Sequence, residues 1–124
     1  MFTADQKQPR LAVIDTRTNG VTRWIELPGT GYGSAPTPDG RWLVIALPHL
    51  NQAAVIDLTT MRVARTLAVP KGPQEVLVRP DGAEAYVSCS DAGQVAVIDT
   101  QTWQVKKLIT AGPWADGLAW AAEK

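Results

Sequence analysis

The sequence predicts an all-β fold built from repeated four-stranded antiparallel units, and three observations carry that prediction. First, one segment recurs without drift: Ala12-Val13-Ile14-Asp15 returns as Ala54-Val55-Ile56-Asp57 and as Ala96-Val97-Ile98-Asp99, each copy 42 residues after the last. Each Asp is followed three residues later by a threonine (Thr18, Thr60, Thr102), and each threonine three later by a valine (Val21, Val63, Val105). Second, Pro38-Asp39-Gly40 returns at the same spacing as Pro80-Asp81-Gly82. Third, no stretch of ten or more residues shows the apolar period of an amphipathic helix.

The elements follow in order from the punctuation of one unit. Strand A is placed from Glu75 to Arg79 and ends at Pro80-Asp81-Gly82, a tight turn in which proline presets φ and glycine accepts a positive φ. Strand B runs from Ala83 to Cys89, strand C from Val95 to Asp99, and strand D from Val105 to Ile109. These segments are short and rich in β-branched residues, as strands are. In the first strand D, Val21, Arg23 and Ile25 are expected on one face and Thr22, Trp24 and Glu26 on the other. Four short strands in 42 residues match a β-propeller blade, so the predicted fold is a partial β-propeller of four-stranded antiparallel blades.

Laid along the chain, the unit gives strands B, C and D of a first blade in residues 1–32, a second blade in 33–73 and a third in 74–115. Residues 116–124 are expected to form strand A of a further or closing blade, because Asp116-Gly117-Leu118-Ala119-Trp120 aligns with strand A. Propellers close with four to eight blades. The expected partners are therefore the remaining blades of a longer propeller, or a second copy whose terminal strand A completes the first blade.

Composition narrows the function. The 124 residues make one domain at most, with 45% hydrophobic and 19% charged residues, as in globular chains that bury a core. Lys plus Arg and Asp plus Glu balance at 12 each, which gives no electrostatic reason to expect nucleic acid or an anionic membrane as a partner. No apolar run approaches the roughly 20 residues that would span a bilayer, so no membrane insertion is expected. The first ten residues lack the apolar core of a secretory signal. One cysteine, Cys89, excludes an internal disulfide and a cysteine-based zinc cluster.

The pattern resembles the YVTN family of propeller repeats. The matching residues are Tyr86-Val87-Ser88-Cys89, Val97-Ile98-Asp99-Thr100, the Gly72-Pro73 loop and Arg79-Pro80-Asp81-Gly82. Val44-Ile45-Ala46-Leu47 departs from the YVTN strand, and Pro36 interrupts the innermost strand of its blade. The resemblance implies a binding or scaffold module of a larger exported protein, periplasmic or extracellular. At a distance it extends to lactonase propellers and to propellers that hold haem d1 through an axial histidine, so a piece of such a hydrolase or haem protein is the alternative.

No catalytic residue, metal ligand set or cofactor is assigned. Asp15, Asp57 and Asp99 recur once per blade and so are spread round the ring, which fits turn capping better than catalysis. Asp39 and Asp81 are read the same way. Candidate ligand contacts lie where the copies differ, on the rim formed by the D–A and B–C loops: Tyr32, His49, Lys71, Gln74, Asp91, Trp114 and Asp116. Tyr32, Gln74 and Asp116 stand at equivalent positions entering strand A, and His49 is the only histidine. Cys89 reads as a small buried hydrophobe. Trp24, Trp42, Trp103 and Trp120 read as packing residues, and Trp114 as an exposed aromatic.

Overall fold

The structure, a computed structural model, describes residues 1–122. Alternating apolar and β-branched segments form eleven strands among the described residues. The first sheet holds β1 (Phe2–Asp5), β2 (Arg10–Asp15) and β3 (Gly20–Glu26). The second holds β4 (Ser34–Pro36), β5 (Trp42–Leu47), β6 (Gln52–Asp57) and β7 (Arg62–Ala68). The third holds β8 (Pro73–Val78), β9 (Glu84–Cys89), β10 (Gln94–Asp99) and β11 (Gln104–Thr110). Every pairing is antiparallel and between sequence neighbours. The chain is thus all-β, a partial propeller of four-stranded blades. One short 3₁₀ turn, Pro48–Leu50, interrupts it, and no helix among the described residues is long and apolar enough to cross a membrane.

The blades pack face to face, and the repeat decides which residue faces which neighbour. Leu11, Ile25 and Leu27 of the first sheet meet Leu43, Ile45, Leu47, Ala54 and Ile56 of the second. The opposite face of the second sheet, with Val44, Ala46, Ala53 and Val55, meets Ala85, Val87, Cys89, Ala96 and Ile98 of the third. Residues 42 apart thus face the same way round the ring. Where a neighbouring blade is lacking, the equivalent residues lie open: Val21 is 51% exposed on the first sheet and Ile109 41% on the third.

The outer strand departs from simple alternation. Val13 pairs with Arg23 and Ile14 with Val21, so Thr22 is an extra residue in β3. The same slip falls between Val55 and Ile56 and between Val97 and Ile98, leaving Ala64 and Lys106 extra in β7 and β11. This recurrent β-bulge turns the strand over. Val21 and Ile25 therefore lie on opposite faces, not on one face as alternation predicts. Their equivalents behave alike, since Val63 packs toward the first sheet and Leu67 toward the third.

The C–D turns also repeat in detail. Asn19, Met61 and Trp103 all adopt a left-handed backbone, with φ of 57°, 56° and 54°. Asparagine tolerates that region; Met61 adopts it partly buried and Trp103 buried. Met61 packs into the first interface, and Trp103 into the second, edge-on to Trp42 with ring centroids 5.7 Å apart.

Two expectations need correction. Residues 116–120 form no strand, because no strand B stands beside them to take their hydrogen bonds. The segment instead lies over the outer face of the third sheet, where Trp120 meets Tyr86 at 6.0 Å between centroids. Residues 123 and 124 of that expected strand lie outside the described residues. The third sheet also begins at Pro73, one residue ahead of the expected boundary.

Candidate functional site

Tight backbone contacts bring one end of the three blades together. The chain leaving β3 is pinned to β5, with the Tyr32 amide donating to the Ala46 carbonyl at 3.0 Å. The Gly33 amide donates to the Gln74 carbonyl at 2.9 Å, which sets Tyr32 beside the entry to β8. No side chain fits at Gly33, where a Cβ would stand 2.6 Å from the Gln74 carbonyl oxygen, and one on Gly31 would have to displace the Ile45 side chain. His49 sits in the 3₁₀ turn, which ends at Asn51 in a left-handed conformation. The Asn51 side-chain oxygen accepts the Gly72 amide at 3.1 Å and ties this loop to the next D–A loop.

The result is a cavity of about 250 Å³ lined by Gln6, Thr30, Gly31, Tyr32, Pro48, His49 and Gln74. Three of the seven candidates, Tyr32, His49 and Gln74, meet there. Gln6 escaped sequence reasoning. It lies in the B–C loop of the first blade, 42 residues before Pro48, and carrying the repeat back from Pro48 points to it. Asp5 shapes its loop by accepting the Lys7 and Gln8 amides at 2.9 and 3.1 Å and the Arg10 side chain at 3.0 Å. Those bonds, the Lys7 amide first, hold the Asp5 carboxyl below its ordinary range. The cavity wall carries two amides, a hydroxyl, a phenol and an imidazole, and no carboxylate, lysine or arginine.

The remaining candidates lie elsewhere on the rim. The Ala92 amide donates to the Lys71 carbonyl at 3.1 Å, and the Trp114 amide to the Ser90 carbonyl at 3.2 Å, so Lys71, Asp91 and Trp114 belong to neighbouring loops. Asp91 lines a separate depression of about 300 Å³ with Ala92, Gly93, Thr110, Gly112 and Pro113. Trp114 is 76% exposed, and Asp116 is exposed and lines neither hollow.

The recurrent acids are spent on turns. Asp15, Asp57 and Asp99 accept the amides of Arg17, Thr59 and Gln101 at 2.8, 2.9 and 2.8 Å. Asp39 and Asp81 accept those of Arg41 and Ala83 at 3.0 and 2.9 Å. A larger hollow of about 530 Å³ opens between the two Pro-Asp-Gly turns, lined in part by Asp39, Trp42, Asp81 and Gln101. Both Asp81 oxygens are engaged there, one by the Ala83 amide and the other by Arg79. Cys89 is fully buried, and burial pushes its thiol up to about 11, which leaves it unreactive at neutral pH. Among the described residues, no three His, Cys, Asp or Glu side chains are grouped to hold a metal ion.

No protein-family model matches the chain, and no curated protein matches it. Solved propeller structures do. Hydrazine synthase of Kuenenia stuttgartiensis is similar over 91% of this chain, with 27% identity and a TM-score of 0.87. NirN, a dihydro-heme d1 dehydrogenase, is similar over 92% with 19% identity and a TM-score of 0.76. Apo AztD from Citrobacter koseri is similar over 92% with 14% identity and a TM-score of 0.74. The chain spans about a third or less of each: 33%, 26% and 33% of their lengths. In fold, the chain is an arc of a β-propeller.

Proposed function

We propose that this chain is a binding or scaffold module of a larger, exported YVTN-type propeller, and that it presents a small polar ligand site on the rim where its three blades meet. The observation that carries this reading is the convergence of Tyr32, His49 and Gln6, from three different loops, and of Gln74, from the start of β8, on one cavity. A wall of hydrogen-bonding side chains without carboxylate, lysine or arginine, beside an aromatic ring, suits a polar, hydrogen-bonding ligand. The open outer faces of the first and third sheets suit completion by further blades. A hydrolase reading is not favoured, because His49 has no carboxylate among the cavity residues to orient it as a base.

The test is a screen of the full chain against small polar metabolites and haem, followed by thermal shift and absorbance. A ligand whose shift is lost in Tyr32→Ala and His49→Ala but kept in Asp57→Ala supports the site. Ligands that bind equally well to all of these variants would refute it.

A further inference from the structure

We propose that the hollow between the second and third blades, at the end away from the rim, is a second ligand site and that it takes a small organic ammonium ion. Its volume of about 530 Å³ lies within the range of small-molecule pockets. One wall is the A–B turn of the second blade and the other the A–B and C–D turns of the third, so these two four-stranded blades supply the whole of it. It shares no residue with the rim cavity.

The chemistry of the wall selects a donor-rich, positively charged ligand. Asp39 is fixed through one carboxylate oxygen, which accepts the Thr37 hydroxyl at 2.6 Å and the Arg41 amide at 3.0 Å. Its other oxygen is engaged by no described residue. The Thr37 hydroxyl first, and then the Arg41 amide, hold this carboxyl below its ordinary range, so it is ionised at neutral pH. The Thr100 hydroxyl donates to the Gly82 carbonyl, which leaves its oxygen as an acceptor. Gln101 is exposed, and its side chain bonds to no described residue. No lysine, arginine or histidine lines the wall. Asp81 is balanced by Arg79 at 2.6 Å, while Arg41 lies over the Trp42 ring at 4.8 Å from its centroid and reaches Asp57 at 3.8 Å. Asp39 is thus an ionised acid with no ion pair among the described residues. An ammonium group would supply both the charge and the donors, and Trp42, Pro38 and Ala83 offer apolar surface to the hydrocarbon that carries it.

The wall is also held in place by its own bonds. The two A–B turns lie against each other, since a Cβ on Gly82 would stand 3.2 Å from the Pro38 ring. The Trp42 amide donates to the Thr37 hydroxyl at 3.1 Å, the Ala83 amide to Asp81 at 2.9 Å, and the Thr100 amide to the Ala83 carbonyl at 3.2 Å. Binding therefore has little to order beyond Gln101. The arrangement is particular to this interface. At the preceding one, Leu58 and Thr59 stand where Thr100 and Gln101 do here, and Leu58 packs into the apolar core instead.

Ligand-observed NMR of the full chain at neutral pH tests the site at any assembly size, with phenethylamine as the probe and phenethyl alcohol, of like shape but uncharged, as its control. The amine is expected to bind at least about tenfold tighter than the alcohol, the order of a charge-assisted hydrogen bond. Asp39→Asn keeps an oxygen for Thr37 and Arg41 and should bring the amine down to the affinity of the alcohol. Gln101→Ala, which removes no side-chain bond of the fold, should weaken the amine severalfold. Tyr32→Ala should leave the amine unaffected, so this site and the rim site can fail separately. Absence of amine binding, equal binding of amine and alcohol, or full amine affinity in Asp39→Asn overturns the proposal. Should Asp39→Asn lose the circular dichroism of a β protein, Gln101→Ala decides, and full amine affinity there overturns it.

Discussion

Ile14, Ile56 and Ile98 occupy one position in three copies of the unit, yet their surroundings differ. Ile56 and Ile98 are 0% exposed because a preceding blade covers them, whereas Ile14 is half-buried. Truncating a buried isoleucine to alanine typically costs about 2–5 kcal/mol, from lost transfer energy plus the cavity left behind. Chemical denaturation is therefore expected to show Ile56→Ala and Ile98→Ala each losing stability in that range, and Ile14→Ala distinctly less. Equal losses at all three would mean that the blade faces do not pack as described. The turn acids make a separate prediction. Asp5, Asp15, Asp39, Asp57 and Asp81 are all held below the ordinary value of 3.8, mainly by hydrogen bonds from neighbouring amides and hydroxyls. Their folded pKa is depressed, so the unfolded chain takes up protons first as pH falls. The stability they contribute is present above 3.8 and is lost as pH drops through it toward their folded values. The thermal midpoint should change little from pH 7 to about 5 and fall steeply below about 4. Asp57→Ala should lower the midpoint at pH 7 and flatten the acid limb.

Each blade has a rigid middle and a looser outer edge. β6 and β10 are hydrogen-bonded on both sides and largely buried, while β7 and β11 are the outermost strands of their sheets and mostly exposed. Amide exchange should be slower in β6 and β10 than in β7 and β11 by at least about an order of magnitude. Comparable exchange in both would mean that the sheets open as single units. The inner strands were legible in the sequence because the recurrent Ala-Val-Ile-Asp and Pro-Asp-Gly segments bracket them. The bulge was not, because its residue is Thr22, Ala64 and Lys106 in the three copies and shares no chemistry to mark it. The rim site was half legible. Tyr32 and Gln74 stand out at equivalent places entering strand A, and His49 stands out as the sole histidine. Gln6 lies in a loop with no landmark of its own. The division of the rim into two hollows depends on loop-to-loop hydrogen bonds, such as Asn51 with Gly72, which link residues 21 apart in sequence and leave no periodic trace.

At the scale of the molecule, the three sheets share two buried interfaces and leave two outer faces uncovered. Met1 and Val21 are 63% and 51% exposed on the first sheet, and Ile109 is 41% exposed on the third. Trp120 covers part of the third sheet and is itself 47% exposed. Apolar surface of this extent on a small chain promotes association, and the free edge of β1 adds a row of unpaired backbone groups. A charge on the outer face should weaken association without unfolding the blades, so Ile109→Lys is expected to shift the chain toward smaller species while its far-ultraviolet circular dichroism stays that of a β protein. The central claim is that the chain is an arc of a ring whose open faces need further blades, and sedimentation velocity of the full chain over a concentration series tests it most directly. The account predicts a species of at least twice 13.3 kDa whose proportion rises with concentration. A monodisperse 13.3 kDa species at every concentration, unfolding in one cooperative transition, would contradict it.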